Sequence, residues 1–222
     1  MEIIKKTVKG SPYIGVFTII TNEIGLFPVD TSDEDIAEIE KLLKIRIIKS
    51  TLANCSLNGV LSTGIGKKIA ITGMATETEI AKLENEGLEV KAVPHVTAIG
   101  NLIALNKNGG VASPILSNKT LELLQDFFEI SIEKLKIADN EVPGASITTT
   151  NKGFIAHPNI KDKDYERLKK IFNVYGTTTT ANYGDPFVGN SVIANDTAVI
   201  VGAQTSGHEL IRIDEGLRGS EL

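Results

Sequence analysis

Five glycines set a period that few architectures can satisfy. Gly15, Gly59, Gly100, Gly144 and Gly189 are separated by 44, 41, 44 and 45 residues. Each opens a similar phrase: an apolar run, a polar turn, then a second apolar run. The clearest copies are GNLIALNKNGGVASP (100–114) and GASITTTNKGFIAHP (144–158). GVFTIITNEIGLFP (15–28) is one residue shorter, while GVLSTGIGKKIAITG (59–73) and GNSVIANDTAVIVG (189–202) end on glycine instead of proline. A period of this length marks a supersecondary unit that cannot bury its apolar face alone and must stack on copies of itself. Five such units use the whole of the 222 residues, so one domain, residues 1–222, is expected.

The order inside each unit follows from local pattern. Two β-branched runs flank the polar turns Thr21-Asn22-Glu23, Asn106-Lys107-Asn108-Gly109, Asn151-Lys152-Gly153 and Asn195-Asp196. Asn and Gly tolerate positive φ, so tight hairpins are expected there. A helix follows, with capping boxes at Thr31/Glu34, Thr76/Glu79 and Ser206/Glu209. Apolar residues then recur at helical spacing, as in Leu121, Leu124, Phe128 or Leu210, Ile213, Leu217. A third strand leads to the next glycine.

The fifth unit is too short to contain its third strand. The missing piece is at the other end: MEIIKKT (1–7) parallels IRIIKST (45–51). The amino-terminal strand is therefore expected to complete the fifth unit and close a ring, which removes the open sheet edges of a linear array. The fold class is α/β: a closed five-fold pseudosymmetric ring of ββαβ units, an α/β propeller. Each helix is expected on its own sheet, with the first strands near the axis.

Composition limits function. The chain is 41% hydrophobic with a net charge of −5, and no apolar run approaches the length that spans a bilayer. The first six residues include charges and no signal-type apolar segment, and a single cysteine cannot form an internal disulfide; a cytoplasmic monomer is expected. An acidic chain suits a protein partner or a mixed surface better than bare nucleic acid, although Lys5, Lys6 and Lys9, or Lys67 and Lys68, could form local basic patches.

The residues offer little catalytic chemistry. Gly64-Ile65-Gly66-Lys67-Lys68 lacks the glycine and the hydroxyl residue of a phosphate loop and reads as a hairpin turn. His95, His157 and His208 fall in different units with no metal-type spacing, and no metal or cofactor is expected. Cys55 reads either as a small buried residue or as a nucleophile paired with a distant histidine. The five-fold ββαβ ring resembles the pentein fold, some of whose members are Cys–His enzymes acting on guanidino groups. Those carry the cysteine near the end of the chain, where this sequence has none. A Cys-dependent guanidino-modifying hydrolase or transferase is the alternative function.

The phrases IGVFTIITNEIGLFP, AIGNLIALNKNGGVASP, TTTNKGFIAHP and GAQTSGHELIRIDEGL carry a resemblance along the whole chain. They are similar to the archaeal form of translation initiation factor six, which has no eukaryotic-type carboxy-terminal extension. The resemblance implies a non-enzymatic factor that binds the large (50S) ribosomal subunit. It implies docking mainly on a ribosomal protein beside the sarcin–ricin loop, with rRNA nearby. The factor would block joining of the small (30S) subunit sterically, without cofactor or metal.

Ring geometry suggests where such a partner would bind. The starting glycines allow close backbone approach or unusual φ. The positions after them, Val16, Val60, Asn101, Ala145 and Asn190, should gather near the axis. Asn101 and Asn190 either bond to backbone within the ring or face the partner. The last helix offers a second candidate surface in His208, Glu209 and Arg212.

Overall fold

The chain opens on β1 (Glu2–Lys6) and then runs through five units of one design. The first holds α1 (Ile14–Phe17), β2 (Ile19–Ile20), β3 (Ile24–Pro28), α2 (Asp33–Leu43) and β4 (Arg46–Ser50). The second holds α3 (Asn58–Leu61), β5 (Ser62–Ile65), β6 (Lys68–Thr72), α4 (Glu77–Asn85) and β7 (Glu89–Val93). The third holds α5 (Ile99–Leu102), β8 (Ile103–Asn106), β9 (Gly109–Ala112), α6 (Asn118–Phe128) and β10 (Ile132–Lys134). The fourth holds α7 (Pro143–Ser146), β11 (Ile147–Thr149), β12 (Phe154–Ala156), α8 (Asp162–Phe172) and β13 (Gly176–Thr178). The fifth holds the 3-10 turn Val188–Asn190, β14 (Val192–Ala194), β15 (Ala198–Gly202) and α9 (Gly207–Arg218). This computed structural model describes residues 1–219; residues 220–222 of the expected domain lie outside the described part.

Every sheet has three strands, the middle one antiparallel to the first and parallel to the third. The fifth sheet takes its third strand from the amino terminus: β1 runs parallel to β15, with Glu2 opposite Ala198 and Lys6 opposite Gly202. The terminal ammonium of Met1 lies 3.0 Å from the Asp214 carboxylate of α9 and pins this closure. The first strands β2, β5, β8, β11 and β14 touch one another in cyclic order around the axis.

The repeated glycines have a steric reason that the sequence only half discloses. They lie in the short helices before the first strands, not at strand starts, and none has positive φ. A methyl group on Gly59 would overlap the carbonyl oxygen of Gly15. Gly100 stands in the same relation to Gly59, Gly144 to Gly100, Gly189 to Gly144, and Gly15 to Gly189. Each unit thus presses backbone to backbone on the one before it, and the cycle closes.

The long helices depart from the expected placement. Each lies between two units and is not confined to its own sheet. Ile39 and Leu43 of α2 share a buried cluster with Ile193, Ala198 and Ile200 of the fifth unit. Leu83 packs with Ile24 and Leu26, and Leu124 and Phe128 with Ala70 and Val93. Leu168 and Phe172 meet Ala104 and Val111, and Ile213 and Leu217 meet Ile155. The physical reason is area: a three-stranded sheet is too narrow to cover an amphipathic helix, so the stripe is completed by the neighbour.

Two local expectations are also corrected. The cap of α2 is Ser32, whose hydroxyl accepts from the Asp35 amide, not Thr31 with Glu34. The hairpins of four units do not use positive φ. Thr21, Asn106, Thr150 and Asn195 instead accept from the amides two and three residues on. A short polar side chain can substitute for a backbone turn in this way. Only the second unit's hairpin bends at a left-handed glycine, Gly66 with φ +57.

Left-handed residues concentrate elsewhere, in turns that follow the third strands. Those turns hold Lys9-Gly10, Ala53-Asn54, His95, Ala138-Asp139 and Asn182-Tyr183-Gly184, and, Gly66 apart, the other left-handed residues, Lys44, Gly87, Glu129, Asn173 and Gly219, end the long helices. Four of these tips are closed by paired backbone bonds, Val8 with Ser11, Leu52 with Cys55, Ile137 with Asn140 and Ala181 with Asp185. Strand direction puts the tips, the short axial helices and the amino-terminal ends of the long helices on one face of the ring. The hairpins and helix carboxy-terminal ends occupy the other.

Candidate interaction face

Topology brings the sequence-derived candidates to the tip face. Val60, Asn101 and Asn190 are half-buried in the axial helices of their units. Neither Asn101 nor Asn190 makes a side-chain hydrogen bond to another described residue, so both amides are available to a partner. Ala145 departs from expectation: it is 5% exposed within α7, too small and too enclosed to offer a contact.

The α9 candidates separate in the same way. His208 is exposed in the first turn. Arg212 is half-buried, 2.9 Å from Glu215 and 3.4 Å from the Thr178 carbonyl. Glu209 corrects the expectation of a solvated helix face, since it is 5% exposed and fully engaged. Its Oε1 accepts from the Thr180 hydroxyl at 2.7 Å and the Gly184 amide at 2.8 Å. Its Oε2 accepts from the Tyr183 amide at 3.2 Å and the Ser206 amide at 2.7 Å. Burial pushes the Glu209 pKa up, but the bonds from Ser206, Thr180 and Gly184 outweigh it and hold the carboxylate below its ordinary range.

Glu79 does the same work at the seam between the first and second units. It accepts from the Thr51 hydroxyl and the Ala53, Asn54 and Thr76 amides at 2.8–3.0 Å. Each glutamate caps its own helix and clamps the tip of the preceding unit.

Sequence reasoning missed the most exposed aromatic group on this face. Tyr183 is 85% exposed, on a tip held by Glu209. The signal was present in ANYGD, a run of turn-forming residues after a strand. Tyr13, 43% exposed, precedes α1 on the same face.

Charges here are largely matched. Lys6 pairs with Asp35 at 2.9 Å and Glu38 at 2.6 Å, Lys9 with Asp30, and Lys49 with Asp33 at 2.5 Å. Lys5 donates to the Thr205 carbonyl. On the hairpin side, Lys68 pairs with Glu129 at 2.6 Å. The basic clusters of the sequence therefore do not form a bare cationic patch, and the tip face offers amides, aromatic rings and neutralised pairs.

The remaining candidates separate in space. Cys55 lies in a tip turn with its thiol 3.2 Å from the Leu52 carbonyl oxygen. His157 is buried, its Nδ1 accepting from the Asn159 amide at 3.1 Å and its ring edge-on to Phe187. Burial lowers its pKa, partly opposed by Asp185. His95 is exposed on its tip. Gly64 to Lys68 form the β5–β6 hairpin. Among the described residues no group of three His, Cys, Asp or Glu side chains could hold a metal ion, and no helix is long and apolar enough to cross a membrane.

A family model described as the eIF-6 family matches residues 3–216, nearly the whole ring. The chain belongs to the eIF-6 family. Its curated relatives include translation initiation factor 6 of Pyrococcus abyssi, 31% identical with 98% of this chain and 99% of that one covered. Translation initiation factor 6 of Methanocaldococcus jannaschii is 32% identical over 97% of both chains. Among solved structures, dimethylarginine dimethylaminohydrolase in adduct with S-methyl-L-thiocitrulline is 17% identical with a TM-score of 0.48, covering 92% of this chain and 72% of that one. Membership of the eIF-6 family places this chain among translation initiation factors.

Proposed function

We propose that this chain binds the large ribosomal subunit through its tip face and prevents the small subunit from joining. The support is the family match across the ring together with a face on which Asn101, Tyr183, Asn190 and His208 are presented from the third, fourth and fifth units. A five-unit disc with a shared core is a rigid body, and a rigid body on a joining surface acts by exclusion. The matched charges of the face favour a docking partner that is mainly protein, with rRNA at its margin.

The test is sedimentation. Mixed with separated subunits, the protein is expected to travel with the large subunit and to reduce the joined-ribosome peak. Co-sedimentation with the small subunit alone, or an undiminished joined peak, overturns the reading. Within it, the double variant Asn101→Ala, Asn190→Ala is expected to weaken large-subunit binding by about tenfold or more while leaving the melting temperature unchanged.

A further inference from the structure

The third strand of each sheet has one long side with no strand beside it, and such an edge is a template for pairing with another chain. In β7 the Glu89 amide bonds inward to the Lys67 carbonyl, so alternation turns the amides and carbonyls of Val90 and Ala92 outward. Three of the other sheets cover the matching groups with side chains. In the first, the Ile47 amide donates to Glu40 at 2.7 Å and the Lys49 carbonyl accepts from Lys82 at 2.8 Å. In the third, the Ile132 amide donates to Gln125 at 3.0 Å. In the fourth, the Gly176 and Thr178 carbonyls accept from Tyr165 and Arg212.

β7 lacks any such cover. Among the described residues no side chain bonds the backbone of Val90 or Ala92. Lys82 stands six residues after the cap of α4, and the same place in α6 holds Leu123, which cannot donate. An open groove of about 520 Å³ is left between Lys91 and the α6 residues Lys119, Glu122, Leu123, Asp126 and Phe127. Val90, Lys91, Ala92, Leu123 and Phe127 are half-buried and Glu89 is exposed. Lys91 takes the place of the buried Ile48 of the first sheet, and it makes no ion pair with another described residue.

We propose that β7 pairs antiparallel with β7 of a second copy, about a two-fold axis at Val90. A lysine on an edge discourages apolar strands and selects one that sets an acid opposite it. In this register Lys91 of each copy faces Glu89 of the other, and the two Val90 residues exchange amide-to-carbonyl bonds. The α6 helices lie on one side of the joined sheet, with Leu123 and Phe127 closing the groove across the axis. One step away in register, Lys91 faces Lys91, which like charge disfavours. The β1 edge is also without a side-chain cover, but its Lys6 is already held by Asp35 and Glu38 and cannot answer a second acid. The pairing uses the outer rim, so the tip face stays free, and the monomer expected from the sequence is the dilute form.

Sedimentation equilibrium of the full chain over a concentration series is the test. A monomer–dimer equilibrium is expected, with a Kd of about 10–100 µM, in keeping with a small interface. Lys91→Glu sets acid against acid and Glu89→Lys sets base against base; each is expected to weaken the dimer by about tenfold or more. The double variant Glu89→Lys, Lys91→Glu restores both pairs and is expected to recover it. Val90→Pro removes an amide that makes no bond within the sheet, and is expected to abolish the dimer in a chain that still melts cooperatively. A chain that stays monomeric up to about 1 mM, a double variant as weak as the single ones, or a dimer that persists in folded Val90→Pro overturns the proposal. None of these outcomes depends on ribosome binding.

Discussion

Glu209 and Glu79 each gather several donors that would otherwise be left without partners in a seam. Removing one leaves part-buried amides without their acceptor, and because water can reach them the cost is about 1 kcal/mol, the low end for an unsatisfied group. Glu209→Ala is therefore expected to lower stability by roughly that amount in urea unfolding, with the Tyr183 tip loosened first. Both carboxylates have folded pKa values below the ordinary one, despite burial that pushes the other way. Their stabilisation is thus complete above the unfolded carboxylate pKa and is lost as pH falls through the lower folded value. The double variant Glu79→Gln, Glu209→Gln should flatten the acid side of a stability-against-pH curve measured from neutral pH downward; an unchanged slope would contradict the assignment. The two capping boxes were legible in the sequence, because the serine or threonine and the glutamate sit at fixed spacing. Their reach into the preceding unit was not, since it depends on which unit lies across the seam. The same gap explains Glu209 as an expected surface residue and its actual burial.

The glycine phrase was the most legible element, and the sequence gives its period but not its cause. A four-residue helix is too short to leave a periodic signal, so the axial turns read as strand starts. Their tight packing makes a clear contrast between glycines. Gly100→Ala drives a methyl group into the Gly59 carbonyl and is expected to destabilise by about 3 kcal/mol, the upper end for overpacking, because backbone cannot yield as a side chain can. Gly207→Ala meets no atom within 4 Å and has ordinary φ. It should be neutral or stabilise by up to about 1 kcal/mol through helix propensity. Equal losses for the two in thermal melts would argue against the backbone contact. The hairpins teach a related lesson: Asn and Gly announced a turn, but the same letters permit either left-handed backbone or a side-chain-bonded turn, and the choice was local geometry.

At the scale of the molecule, closure was readable because MEIIKKT repeats IRIIKST, and β1 does complete the fifth sheet. Removing residues 1–9 should therefore lower the melting temperature of the whole protein in a single transition; a truncated chain that melts where the full chain does would contradict this. The placement of the long helices was not readable, because the apolar stripe of a helix does not name the sheet it will meet. That placement has a mechanical consequence. No petal owns a private interior, so none can peel back while the others stand. Amide exchange from the central strands of all five petals should converge on one opening free energy, as for a hoop that holds under load until it gives way everywhere at once.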